Sequence, residues 1–254
     1  GVVIAGSGEH HLVWTSLTII TIACLGYLAS RQIPVTPPLS PNLPVDWNIK
    51  PTQDIYVIRA EDSVRNIGIV SWGMIAPWSK NVVEAKQSQS RSINARSESV
   101  HEKPTFRSSF RSQRCLIPAS GYYEWATELG NHKTKQPYYI TRDDKKLLAF
   151  AGIESKWISP QGEVIASAAL LTRDAVGELA KIHNRMPVIL PRDRWDAWLE
   201  NKLNEPTEIR FLIENYLFDA HLVTWPVKTL VNSIRNNGPE LVEPIEIGEP
   251  EVLF

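Results

Sequence analysis

Arg91–Trp125 reads RSINARSESVHEKPTFRSSFRSQRCLIPASGYYEW, and the fold class turns on how this stretch divides. Its C-terminal part holds an apolar run, Cys115-Leu116-Ile117-Pro118, then a turn, then an aromatic run in which Glu124 stands between Tyr123 and Trp125. Short β-branched and aromatic runs flanking a turn predict strands, here Arg114–Pro118 and Tyr122–Trp125. Pro104–Phe110 predicts a short helix with Pro in its first turn. The N-terminal part, Asn94-Ala95-Arg96-Ser97-Glu98, is dense in side-chain hydrogen-bonding groups. A carboxylate held among aromatics is expected to have a raised pKa, because burial disfavours its charged form. The alternative is a hairpin whose Glu124 points to solvent.

Working outward, the same signals predict strands at Asp54–Ala60, Ile67–Trp72, Pro137–Thr141, Leu147–Ile153, Val164–Leu171 and His221–Trp225. Pro77 and Ser79 mark a loop. Asp174 is read as the N-cap of a helix over Ala175–Ile182, and Asp193–Glu200 and Thr207–Tyr216 are read as helices. Many strands with a few interspersed helices, without βαβ alternation, predict an α+β fold. The expectation is a single domain with a largely antiparallel, barrel-like sheet and a few peripheral helices. No internal repeat is visible.

The chain has 254 residues, a net charge of −1, 43% hydrophobic and 22% charged residues, which is ordinary for a globular protein. Charge is unevenly spread. Ser79–Arg114 carries eight Lys and Arg against three Glu, whereas Pro239–Phe254 has five Glu and no base. A basic segment on a near-neutral body suits a phosphate-contacting face, or else a solvated surface helix and loop. Nine Trp serve a core or stack on unpaired bases. Two cysteines, Cys24 and Cys115, make no disulfide framework.

Four segments follow. Residues 1–33 form an atypical apolar N-terminal segment, read as a possible anchor or a non-native start. Within it, residues 12–29 contain no charge, at the short limit for a membrane-spanning helix; a buried strand-helix segment is the other reading. Residues 34–46 are proline-rich and read as a linker. Residues 47–245 form the body, and 246–254 an acidic tail. A monomer is expected.

No Gly-rich phosphate loop, CxxC pair or Gly-x-Ser-x-Gly elbow occurs. Lys181-Ile182-His183-Asn184-Arg185-Met186-Pro187 puts a His beside an Arg where a helix is expected to give way to a strand, a position for acid–base work near neutral pH. His183 gains that role only if Glu124 and Asn94 lie nearby, so the three are expected in one pocket.

Eight blocks in order carry a resemblance. They are Trp47-Asn48-Ile49-Lys50-Pro51-Thr52-Gln53, Trp72-Gly73-Met74-Ile75-Ala76-Pro77-Trp78, Asn94-Ala95-Arg96-Ser97-Glu98, Arg114-Cys115-Leu116-Ile117-Pro118, Gly121-Tyr122-Tyr123-Glu124-Trp125, Lys135-Gln136-Pro137-Tyr138, Ile182-His183-Asn184-Arg185-Met186-Pro187 and Val231-Asn232-Ser233. The chain resembles the SOS-response-associated peptidase family, the abasic-site processing proteins. The resemblance implies a role in the DNA damage response and a basic cleft for single-stranded DNA containing abasic sites. It implies a covalent DNA–protein linkage, with AP-lyase and autopeptidase (hydrolase) activity and no cofactor or metal. In that family a cysteine at the mature N-terminus supplies amine and thiol, which close a thiazolidine on the sugar aldehyde. Carried over, Asn94 would hold the amine and sugar, Glu124 would shuttle protons, and His183 would assist ring opening and the strand-cleaving elimination. Arg96 and Arg185 would contact phosphates, and Trp72 and Trp78 would stack on or wedge bases. Such a protein works in the cytoplasm on bacterial DNA, or in a eukaryotic nucleus.

The chain departs from the family pattern at its start. It opens Gly1-Val2-Val3-Ile4 where the family opens Met-Cys-Gly-Arg, and Cys24 lies inside the apolar stretch, where its nitrogen is an amide. As written, Gly1 offers an amine without a neighbouring thiol, so a reversible imine is expected rather than a stable thiazolidine. Ala151-Gly152-Ile153-Glu154-Ser155 also differs from the family, which has Leu-Trp-Glu after Ala-Gly. The alternative reading is a membrane-tethered or soluble DNA-binding module without catalysis.

Overall fold

The computed structural model describes residues 18–20, 43–62, 64–126, 136–214 and 221–247. Eleven strands occur in it: β1 (Thr18–Ile20), β2 (Asp54–Glu61), β3 (Val64–Trp72), β4 (Asn94–Arg96), β5 (Arg114–Ala119), β6 (Gly121–Ala126), β7 (Gln136–Arg142), β8 (Leu148–Ile158), β9 (Val164–Asp174), β10 (Arg185–Pro187) and β11 (Leu222–Pro226). The α-helices are α1 (Val82–Arg91), α2 (Arg107–Ser112), α3 (Trp195–Leu199) and α4 (Pro206–Glu214), with two short 3₁₀ segments between α2 and α3 and two after α4. The molecule is α+β, as its strand-rich sequence predicts.

Five strands close on themselves in the order β9-β3-β2-β5-β8, and β8 returns to pair with β9. All these pairings are antiparallel except β3 with β9. Successive side chains on a strand face opposite ways. One set, including Ile55, Val57, Val70, Trp72, Cys115, Ile117, Ala168 and Leu170, makes one core cluster. The alternate set, including Tyr56, Ile58, Leu116, Ala151, Ile153, Ala169 and Leu171, packs against Phe110, Trp195, Trp198 and Ile209 of the helices. Strand β5 is therefore buried at every position, which is why its sequence is a continuous apolar run rather than an alternation.

A second, antiparallel sheet runs β1-β6-β7-β11. Tyr122 of β6 joins the core that Trp72 and Ile117 occupy, its ring edge-on to Phe150 at 5.8 Å. The opposite face carries an aromatic ladder, in which Tyr139 lies 5.5 Å from Tyr123 and 5.4 Å from Trp225.

Strand β9 is the spine. Leu170 faces Gly152 of β8 on one edge and Asn94 of β4 on the other. Two residues on, Thr172 faces Arg96 of β4 and Pro187 of β10. The C-terminal end of β9 thus holds β4 and β10 side by side with itself between them.

Some expectations are corrected. Asp174 is not an N-cap; it ends β9 opposite Arg185, and Ala175–Ile182 contains only a 3₁₀ segment at Gly177–Lys181. Chain pairing with β10 keeps β9 extended past the point where its apolar run stops. Thr18–Ile20, inside the apolar N-terminal stretch, is a strand paired with β6, and the rest of residues 12–29, read as a possible anchor, lies outside the described residues. Among the described residues no helix is long and apolar enough to cross a membrane. The end of the proline-rich segment is part of the body: Leu43 packs on the core and its N–H donates to the Tyr56 hydroxyl at 2.7 Å.

Candidate functional site

A cleft of about 280 Å³ opens at the C-terminal end of β9. Asn94, Arg96, Glu124, Thr172, His183 and Asn184 are among the residues that line it. Each element delivers its residue for a local reason. On β4, Asn94 and Arg96 share one side while Ala95, between them, is buried in the core. On β6, Glu124 lies on the same side as buried Tyr122, whereas Tyr123 joins the aromatic ladder behind it. His183 sits just before β10, at the close of the 3₁₀ segment, where its N–H donates to Leu179 O at 3.0 Å.

Glu124 and His183 are the central pair. Their side chains are 8% and 15% exposed, and His183 Nδ1 lies 3.6 Å from Glu124 Oε1. The Arg185 N–H donates to His183 Nδ1 at 3.1 Å, and the Arg185 carbonyl oxygen is 3.2 Å from the same nitrogen. A neutral ring with its proton on Nε2 accepts that N–H. With its proton on Nδ1 instead, the ring turns that hydrogen toward two oxygens, the Arg185 carbonyl and Glu124, and leaves Nε2 bare to accept a proton. The ring keeps its place in both states, but only the first lets Nδ1 accept the Arg185 N–H.

Asn94 Oδ1 is buried and has no hydrogen-bond partner in the protein. Orphaned buried acceptors cost about 1–3 kcal/mol, so this oxygen is set up to take a donor from whatever enters the cleft.

Arg96 is exposed at the rim, and Trp78 is 58% exposed on the loop before α1. Two other expected DNA contacts fare differently. Trp72 has no exposed surface; its Nε1 donates to Ile93 O at 3.0 Å inside the core, so it cannot stack on a base. Both Nη groups of Arg185 are engaged, while its buried Nε has no hydrogen-bond partner in the protein. Its Nη1 reaches Glu98 Oε1 at 2.7 Å and Asp174 Oδ1 at 2.6 Å, and its Nη2 reaches Glu98 Oε2 at 3.0 Å and Thr172 O at 2.8 Å. A phosphate would have to displace a carboxylate to reach it. Burial opposes the charge on Glu98, yet the hydrogen bonds from Arg185 and the backbone outweigh it and hold the carboxyl below its usual range.

The basic segment is mostly surface. Seven of its eight cations are exposed, and the eighth, Arg114, is buried and structural. Cys115 is fully buried, and burial pushes its thiol pKa well up, so it is core rather than nucleophile. Cys24 lies outside the described residues. The sequence reading missed Thr172, which carries no signal beyond its neighbours, and quoted Asn184 without giving it a role. It quoted Glu98 without a role and gave Asp174 the wrong one.

The fold and cleft define a class: an α+β protein built on a small closed barrel, with a paired carboxylate and imidazole in a half-open polar cleft. The family model for the SOS response associated peptidase (SRAP) matches residues 26–234, and the chain belongs to that family. Its relatives include the abasic site processing protein YoqW of Bacillus subtilis, 37% identical over 197 residues, covering 78% of this chain and 85% of that one. The abasic site processing protein HMCES of Gallus gallus is 32% identical over 216 residues, covering 76% of this chain and 61% of the longer relative. A crystal structure of a protein from Bordetella bronchiseptica superposes with a TM-score of 0.70 at 28% identity, covering 84% of this chain and 99% of that one.

Proposed function

We propose that this chain binds single-stranded DNA and processes abasic sites in it, as part of a DNA damage response. The observation that carries the reading is the cleft itself: an orphaned amide oxygen, a buried carboxylate and an imidazole converge on one space of about 280 Å³ beside an exposed arginine. That is the equipment an aldehyde needs. An amine adding to the C1′ carbonyl gives a carbinolamine, and loss of water from it requires a proton delivered to the departing oxygen. Glu124 is the donor in this reading, and Asn94 Oδ1 accepts an N–H of the attacking amine. In the iminium that results, removal of a C2′ proton pushes its electron pair toward C3′ and expels the 3′ phosphate, which cleaves the strand. His183, in the tautomer with its own proton on Nδ1, takes that proton through Nε2, and the positive charge is met at Nδ1 by Glu124 and the Arg185 carbonyl. Arg96 and Trp78 contact the flanking strand. In the family the amine and a following thiol come from one cysteine, and their closure into a thiazolidine makes the covalent linkage. Work of this kind belongs in a bacterial cytoplasm or a eukaryotic nucleus.

The test is a labelled single-stranded oligonucleotide with one abasic site, made by excising uracil, compared with the intact strand. Cleaved or protein-linked product is expected only from the abasic strand. Glu124→Gln should retain the fold and slow imine formation, read by borohydride trapping, about 10²-fold or more. His183→Ala should trap normally but cleave less. Equal handling of intact and abasic strands would overturn the reading and leave a plain DNA-binding module.

A further inference from the structure

We propose that Glu98 is a positioning residue: together with Asp174 it holds Arg185 so that the Arg185 backbone fixes the His183 ring over the cleft. The inference rests on the cleft being the reacting site. Three separate segments meet at the Arg185 guanidinium. Glu98 follows β4, Thr172 and Asp174 end β9, and Arg185 opens β10. The four Nη hydrogens have four takers: two oxygens of Glu98, Oδ1 of Asp174 and the Thr172 carbonyl. Thr172 O also accepts the Ser97 N–H at 2.9 Å, which ties β4's end to the same point. A bidentate fork of this kind fixes orientation as well as distance. What it orients is the stretch of backbone that meets His183 Nδ1, with the N–H at 3.1 Å and the carbonyl oxygen at 3.2 Å.

The attraction that holds the Glu98 charge is to Arg185 and Arg96 and does nothing for binding phosphates. On a face that meets phosphates this charge lowers attraction, and a simple DNA-binding surface would do better without it. Isolated surface ion pairs also add little stability. Glu98 nonetheless makes both fork contacts and is the more sheltered partner, with 46% of its side chain exposed against 85% for Asp174. Its value is therefore geometric. It keeps Nδ1 turned toward Arg185 and Glu124, which leaves Nε2 for the substrate.

The experiment uses the full chain and the variants Glu98→Ala, Glu98→Gln and Asp174→Asn, each checked by thermal melting. Three quantities are read: affinity for an intact single-stranded oligonucleotide, the rate at saturating abasic oligonucleotide, and the His183 ring nitrogens by NMR. Glu98→Ala should bind intact DNA as tightly as the parent or severalfold tighter. Its saturated rate should fall about ten- to a hundredfold, and its His183 nitrogen shifts should move toward a mixed tautomer population. Glu98→Gln, which keeps one acceptor oxygen, should fall between, and it decides the matter if the alanine variant melts too early. Asp174→Asn should change least. The proposal is overturned if the saturated rate and the His183 shifts both match the parent, or if DNA affinity and rate fall together with the shifts unmoved. If the parent does not process abasic DNA, the functional reading fails, and the NMR arm alone still decides whether Glu98 holds the ring.

Discussion

Arg114 shows how differently neighbouring arginines are used. It is 1% exposed, and its guanidinium donates to five carbonyls: Phe110, Arg111, Trp198, Glu200 and Leu203. These sit at or just past the ends of α2 and α3, where a cation also meets the negative end of the helix dipole. Lysine brings three donors from one point and cannot span that ring. Arg114→Lys is expected to lose at least about 3 kcal/mol, since each orphaned carbonyl costs about 1–3 kcal/mol. Urea unfolding followed by Trp fluorescence measures it, and a change under about 1 kcal/mol would show that water replaces the guanidinium there. Nothing in the one-dimensional pattern separates Arg96, Arg114 and Arg185. All three stand in basic or motif-rich stretches, yet one is open, one is buried and one is clamped, because their fates depend on carbonyls and carboxylates far away in the chain. Trp72 and Trp78 divide the same way, since an indole that has an internal carbonyl to meet goes inside.

At the scale of elements, β6 and β7 carry a close approach that fixes Glu124. A Cβ on Gly121 would fall within contact distance of the Tyr139 ring and hydroxyl, which lies across that position from the neighbouring strand. Gly121→Ala forces the ring aside or the strands apart. Overpacking of this sort costs about 1–3 kcal/mol, and it moves the strand bearing Glu124. Both a lower melting temperature and slower borohydride-trapped adduct formation are expected. Loss of stability alone would place the strain away from the site. Strand and hairpin signals were legible where β-branched and aromatic residues cluster, as in β2, β5, β6 and β9. The three-residue strand β4 was not, and β10 only as a strand expected somewhere after His183. Each is too short to show an alternation, and both exist because the end of β9 offers free edges on both sides. The site's constituents could be named from their sequence blocks, whereas the clamp on Arg185 could not, because it is assembled from three strand ends.

For the whole molecule, seven exposed cations between Ser79 and Arg114 face three Glu, one of which is spent on Arg185. Affinity for single-stranded DNA should therefore fall linearly on a log–log plot against salt, with a slope of about −0.7 for each phosphate contacted. Arg96→Ala should make the slope shallower and weaken binding whatever the base sequence, and salt-independent binding would rule out a phosphate-contacting face. Alkali probes the opposite side. Burial raises the pKa of Tyr139 to about 12, with a hydrogen bond to Thr141 partly offsetting it, and burial also raises Tyr122 and Tyr123. For an acid whose folded value is raised, the neutral form is what folding favours. The stabilisation is whole below the unfolded value of about 10 and drains away as pH rises toward the folded one. Absorbance at 295 nm should show these phenols ionising late and together with loss of the folded signal. Tyr139→Phe should push the alkaline midpoint up, and an unchanged or lower midpoint would show that this phenol does not drive the alkaline transition.

The parallel seam between β3 and β9 has a consequence for how the protein is born. Ser71 meets Ser167 across it, and every strand in between must already be made. A ribosome that has finished β8 has released an open sheet whose apolar side, with Trp72 and Phe150, still lacks its closing edge. The same late strand is the one that carries β4 and β10 on its two edges and so brings Asn94 and His183 to one cleft. An unfinished chain is thus sticky, and the cleft is whole only once the residues after β9, His183 among them, have also been made.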